Sequence, residues 1–150
     1  MLELVIVIAI GSVLAYVAVR AFNPQEAIAL EQAERLRNDL RQAQMLALTW
    51  GQPLRVNVAA TSYSFSCVTA GAAPCDQSPV IDPATRSAYA VNLESGLTLA
   101  GPGFTLDLDA LGRPMDGAAL RTTNATFTIG GGGGSRSVVV APLTGFATVQ

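Results

Sequence analysis

The sequence predicts an α+β chain: a long, kinked N-terminal helix whose second half packs on a small antiparallel β-sheet domain. Three observations predict it. The opening stretch MLELVIVIAIGSVLAYVAVR carries no charge between Leu4 and Val19. A stripe of Ala and Leu at helical spacing then continues to about Thr49. Beyond Pro53 the pattern changes to short alternating segments separated by turn residues.

As a helix rising ~1.5 Å per residue, the first stretch spans about 30 Å, the thickness of a bilayer's hydrocarbon core. Glu3 is its one acid. A lone carboxylate among apolar side chains in a membrane costs about 2.5 kcal/mol or more near the bilayer centre, so Glu3 calls for a partner. Arg20 ends the run and can snorkel to the headgroups. The segment has no basic start and no small-residue cleavage site in a polar break, which sets it apart from a secretory signal peptide. Residues 1–22 are therefore expected to form a membrane helix, 23–50 an amphipathic helix and 51–150 a β-rich head.

Pro24 removes a helix hydrogen bond and predicts a kink or short break, with Asn23 as cap of the restarted helix and Glu26 in its first turn. Ala29, Ala33, Leu36, Leu40, Ala43 and Ala47 recur at spacings of three and four, and Leu30, Leu46 and Leu48 widen that face. Glu31 and Arg35 are spaced for an i,i+4 pair on the polar side. Strands are expected at 54–58, 62–68, 88–93, 97–100, 104–108, 125–129, 137–141 and 145–149, with a loop at 70–86. The five glycines between Ile129 and Ser135 predict a mobile hairpin loop. A phosphate cradle would need a following Gly-Lys-Ser/Thr and a helix, and has neither.

Composition excludes several classes of function. Charged residues are 13 % of the 150, with 9 basic and 11 acidic side chains and a net charge of −2. That balance argues against a surface coated for nucleic acid. The absence of histidine removes the commonest general base and zinc ligand and every Ser-His or Cys-His pair. The two cysteines, Cys67 and Cys75, are expected to form a disulfide in a domain exported past a membrane, worth about 2.5 kcal/mol for so small a loop. A metal there would need further ligands that the neighbouring residues do not offer, and no cofactor is expected.

Met1-Leu2-Glu3-Leu4-Val5-Ile6-Val7-Ile8 resembles the start of the type IV pilin and type II secretion pseudopilin family. In that family a leader ending in Gly is removed before Phe-Thr-x-x-Glu and an apolar run. Met1, Leu2 and Glu3 match the last three of those places, so the leader and its Gly-Phe-Thr would lie upstream. Three further stretches are similar to the minor pilin and pseudopilin branch of the GspH/FimT type, which includes minor pilins of mannose-sensitive-haemagglutinin pili. They are 37–47 at the end of the helix, 104–114 with its strand and glycine turn, and 138–146 with its final hairpin.

The resemblance implies a pilin fold and a minor pilin or pseudopilin, a structural subunit and not an enzyme. Its partners are other pilin or pseudopilin subunits, met through the N-terminal helix, and the inner membrane before assembly. The head is expected in the periplasm, and processing by prepilin peptidase, with methylation, follows if the upstream leader exists. Glu3 matches the family's glutamate, which pairs with a neighbour's N-terminal amine. Leu4, Val5 and Ile8 would pack in the filament core, and Pro24 lies near the family's helix-distorting proline. The subunit would assemble into a type IV pilus or type II secretion pseudopilus, at its initiation or tip.

Two alternatives belong to other classes. A DNA-binding minor pilin would use arginines of the C-terminal loops, here Arg136 with Arg113 and Arg121; few cations in an acidic head predict weak binding. A simple membrane-anchored periplasmic domain, or an anchored enzyme, is the other. For an enzyme Asp107, Asp109 and Asp116 are on offer, but alternation puts Asp107 and Asp109 on one strand face, most simply the solvated one.

Overall fold

The computed structural model describes residues 2–21, 24–69, 71, 73–76, 78–131 and 133–150. Two helices lead the chain, α1 (Leu2–Ala21) and α2 (Pro24–Trp50). Proline at the first position of α2 suits a site whose N–H has no helical partner. The cap expected at Asn23 lies outside the described residues.

All six stripe residues of α2, Ala29, Ala33, Leu36, Leu40, Ala43 and Ala47, are buried to 2 % exposure or less. The stripe is narrower than expected. Leu46 is only partly buried, while Leu30 and Leu48 point to solvent at 41 % and 54 % exposure. The ion pair on the outer face joins Glu34 to Arg37 at 2.7 Å, one turn with i,i+3 spacing, in place of the expected Glu31–Arg35.

Ten strands follow: β1 (Leu54–Ala59), β2 (Ser62–Cys67), β3 (Ala90–Asn92), β4 (Thr98–Ala100), β5 (Thr105–Leu108), β6 (Pro114–Asp116), β7 (Ala119–Leu120), β8 (Ala125–Gly131), β9 (Gly134–Val140) and β10 (Ala147–Val149). They form two antiparallel sheets where one was expected. The larger has the order β3-β2-β1-β5-β6-β7, the smaller β10-β9-β8-β4. Helix α2 lies chiefly on β9, β10 and β8 of the smaller sheet and touches β1 of the larger. At the seam between sheets the Leu99 N–H donates to the Ala60 carbonyl at 2.8 Å.

Alternation along the strands sets the core. Val56, Phe65, Leu106 and Leu108 of the larger sheet and Phe127, Ile129, Val138 and Val140 of the smaller are buried. One buried edge of α2 carries a polar clasp. Asp39 accepts the hydroxyls of Tyr63 and Tyr89, and Phe65 packs against both rings, with centroids at 6.0 Å and 4.4 Å. Cys67 and Cys75 form the expected disulfide, with Cα atoms 5.7 Å apart. It holds the start of the 68–86 segment beside Trp50 at the end of α2, around a cleft of about 130 Å³.

The glycine tract is not a free loop. Gly130 and Gly131 belong to β8 and Gly134 to β9, in register up to the Gly131–Gly134 pair. A Cβ on Gly134 would sit 3.0 Å from the Glu26 Cα, and one on Gly131 would overlap the Gly96 carbonyl. Glycine is needed here for close approach of backbone to backbone. Gly134 at the start of β9 thus seats on the first turn of α2, while Gly132 lies outside the described residues.

Candidate functional site

The residues singled out in the sequence for assembly lie on α1. From Glu3 to Tyr16 every side chain is exposed, with Leu4 at 66 %, Val5 at 65 % and Ile8 at 63 %. Ser12 turns its hydroxyl back onto the helix and donates to the Ala9 carbonyl at 2.8 Å. The result is a helix apolar on all sides and covered on none by the head. Such a surface is unfavourable in water and marks a place for partners. Among the described residues no helix is long and apolar enough to cross a membrane. The side chains described in α1 are those of 3–16, short of the ~20 residues a span takes. The side chains of Arg20 and Pro24 lie outside the described residues.

Where α2 begins, the head grips it. Arg136 at the start of β9 pairs with Glu26 in the first helical turn. This ties two segments 110 residues apart in sequence at the point where the chain passes from stalk to head.

The structure does not gather Arg113, Arg121 and Arg136 into one patch. Arg113 is held by Asp109, through Nε at 2.8 Å and a second guanidinium nitrogen at 2.7 Å. Its neighbour Gly112 is bonded by Gln44 of α2, whereas Arg136 is bonded by Glu26. Eighteen residues of helix, 26 to 44, separate those two points by about 27 Å. The Nε of Arg121 is buried with no hydrogen-bond partner among the described residues.

Two of the three acids weighed for catalysis, Asp107 and Asp109, are equally engaged, while Asp116 is exposed at the end of β6. Asp107 accepts two bonds from Arg55, at 2.6 Å and 2.8 Å across the β1–β5 ladder. Asp109 lies past the end of β5 and accepts the N–H groups of Leu111 and Arg113 as well as the Arg113 side chain. Among the described residues no three His, Cys, Asp or Glu side chains cluster to hold a metal ion.

With an uncovered apolar helix, an amphipathic continuation and a two-sheet head in place, comparison with known proteins is informative. The family described as Type II transport protein GspH matches residues 32–144. The chain belongs to the GspH family. The matched part begins within α2 and takes in the head almost to β10, so Glu3, Leu4, Val5, Ile8 and Pro24 lie before it.

Solved structures agree on the fold of this GspH-family chain. The minor pseudopilin EpsH from the Type 2 Secretion System of Vibrio cholerae is similar with a TM-score of 0.60 at 18 % identity, over 81 % of this chain and 95 % of that one. The type IV minor pilin FimU of Pseudomonas aeruginosa gives 0.55 at 16 % identity in one crystal form, over 81 % of this chain and 86 % of FimU. A second crystal form of FimU gives 0.56 at 17 % identity, over 81 % and 91 %. Comparison with curated protein sequences returns no match. The chain thus has the α+β fold shared by a secretion pseudopilin and a type IV minor pilin.

The features that sequence reasoning missed are contacts at long separation: the Glu26–Arg136 pair, the Asp39 clasp and the bridge from Gln44 to the Gly112 and Gly145 carbonyls. The one signal available for the first was the glycine run itself, which allows a hairpin to approach a helix backbone.

Proposed function

We propose that this chain is a structural subunit, a minor pilin or pseudopilin that enters a type IV pilus or type II secretion pseudopilus through α1, at its initiating end or tip. The observation that carries the reading is the exposure of α1 from Glu3 to Tyr16, apolar on every side and joined to a helix that the head covers on one face only. In water that surface has no stable environment; a bilayer before assembly and a bundle of sister helices after it each supply one. The subunit waits in the inner membrane with its head in the periplasm.

Glu3 is the registering residue. Among apolar helices a carboxylate is costly alone and favourable when paired with a cation, so it selects one axial position of the neighbouring subunit. A neighbour's N-terminal amine is the partner that the family resemblance supplies. Leu4, Val5 and Ile8 fill the surrounding bundle, and Pro24 separates the bundle helix from the head helix.

Mass spectrometry of the N-terminal peptide, from protein isolated out of its native membrane, tests this reading. A methylated Phe-Thr ahead of Met1 is the expected result. A mature chain that starts at Met1 without methylation would remove the partner proposed for Glu3 and leave an anchored domain.

A further inference from the structure

Of the chain's five asparagines, Asn124 alone has a hydroxyl residue two places on, in Asn124-Ala125-Thr126. Asn-x-Ser/Thr, with x other than proline, is the acceptor pattern for N-linked saccharides. It arises often by chance, so its placement decides its worth. Asn124 is exposed at the end of the 121–124 segment and Thr126 is exposed on β8, while Ala125 between them is fully buried. Alternation along the strand thus turns the amide and the hydroxyl to the same solvent side. Neither side chain has a hydrogen-bond partner among the described residues, whereas Asn38 and Asn57 are each bonded.

The backbone beside the pair is open as well. β9 pairs with one edge of β8 along its whole length, but on the other edge β4 pairs only with residues 128 to 130. Among the described residues no strand pairs with 125–127 on that edge, which leaves it free for an enzyme to lie along. The site is also remote from α1. Gly134 rests on the first turn of α2, and the strand from Gly131 back to Ala125 covers about 20 Å. Ala125 ends opposite Val140, whose other neighbour is Ala147, held through its carbonyl by Arg41. Residues 26 to 41 of α2 measure about 22 Å. Both routes put Asn124 at the far end of the head.

We propose that Asn124 is the acceptor of an N-linked saccharide. The donor is a sugar esterified at its anomeric carbon to a diphosphate, on a polyprenyl or a nucleoside carrier. The Asn124 Nδ2 attacks that carbon and forms the carbon–nitrogen bond. The carbon–oxygen bond to the diphosphate breaks, the diphosphate leaves with the bonding pair, and Nδ2 gives up one proton. An amide nitrogen shares its lone pair with its carbonyl and is a weak nucleophile, so the step belongs to a transferase. The Thr126 hydroxyl is the second group by which that enzyme recognises the acceptor. The product carries a bulky, hydrated group where it displaces no contact of the fold. This modification is independent of assembly through α1.

Residues 122–136 lie between Arg121 and Arg136, so trypsin releases the site on a peptide of its own. Mass spectrometry of that peptide, from the full chain isolated out of its native membrane, should show a population with added saccharide mass. An asparagine-specific glycosidase should remove it and convert Asn124 to the acid. Asn124→Gln should abolish the modification. Thr126→Val keeps a strand former and loses only the hydroxyl, and should abolish it too, whereas Thr126→Ser should retain it. Blocking synthesis of polyprenyl-diphosphate sugars separates the two donors: loss of the saccharide assigns the lipid carrier, persistence the nucleoside one. A peptide found only at its bare mass overturns the proposal. So does saccharide that survives Asn124→Gln, which places it on Thr122, Thr123 or another hydroxyl, or saccharide that is indifferent to Thr126→Val.

Discussion

The Tyr63 hydroxyl donates to the Asp39 carboxylate at 2.6 Å, joining the middle of α2 to the second strand of the larger sheet; the Tyr89 hydroxyl adds a second bond at 3.1 Å. Hydrogen bonds to a charged group contribute about 1.5–3 kcal/mol when buried. Asp39→Ala strands two phenols and should lower stability by about that amount, whereas Tyr63→Phe should cost less, since Tyr89 still serves the carboxylate. Urea unfolding of the head checks the order; equal losses would show that the clasp does not act through Asp39.

The same clasp predicts alkaline sensitivity. Burial, and after it the bond to Asp39, raises Tyr63 well above the ordinary phenol value of 10.0. Tyr89 is raised in the same way, by burial first and then by the Asp39 charge. In the unfolded chain both ionise near their ordinary value while the folded phenols stay protonated. Their contribution is thus complete below about pH 10 and is lost as pH rises beyond it. Thermal midpoints should fall above that point, and the fall should be shallower in Tyr63→Phe.

At low pH the turns of the head are the sensitive elements. Burial works to raise Asp109, but the bonds from the Arg113 guanidinium and from the Arg113 and Leu111 N–H groups outweigh it and hold the carboxyl below 3.8. Asp82 is lowered chiefly by the Ala84 N–H, against burial, with help from Thr85 and Gln42. Depressed carboxyls stabilise above their unfolded value and lose that contribution as pH falls through the folded one. Asp109→Asn should flatten the acid limb of a stability–pH curve and leave the neutral plateau lower.

Glycine at the hairpin tip is required by contact. Gly131→Ala would drive a methyl into the Gly96 carbonyl, and Gly134→Ala would press on the Glu26 backbone. Overpacking of this kind costs about 1–3 kcal/mol. Hydrogen exchange should quicken at residues 26–31 in Gly134→Ala. A hairpin that behaved as a free loop would show neither effect.

Gln44 bridges the Gly112 and Gly145 carbonyls. Gln44→Ala leaves both without their side-chain donor and should destabilise by about 1–2 kcal/mol. Loss confined to exchange protection of 109–113 and 141–146 would locate the effect in the two turns.

Much of this architecture is legible in the sequence because burial is periodic. The six-residue stripe of α2 and the alternation of β1, β2 and β5 follow from periods of 3.6 and 2. The strands Pro114–Asp116 and Ala119–Leu120 are too short to show a period, and nothing local tells that β8–β10 leave the first sheet to form a second. Leu30 and Leu48 match the stripe by composition, yet the smaller sheet is too narrow to cover them. The apolar α1 is plain from its residues alone. The approach of the turns 109–113 and 141–146 to one another is not, since nothing local links them and the glutamine that contacts both is distant in sequence.

The strands that cover the stripe of α2 are β8, β9 and β10, the last to be synthesised. Until β8 and β9 have emerged, Ala29, Ala33, Leu36 and Leu40 lack most of the sheet that covers them, and from the larger sheet β1 supplies only a marginal contact. Contacts of such long sequence separation form late and slowly. A chain interrupted before β9 therefore presents two apolar helical surfaces instead of one, and the nascent head depends on shelter until its final hairpin closes.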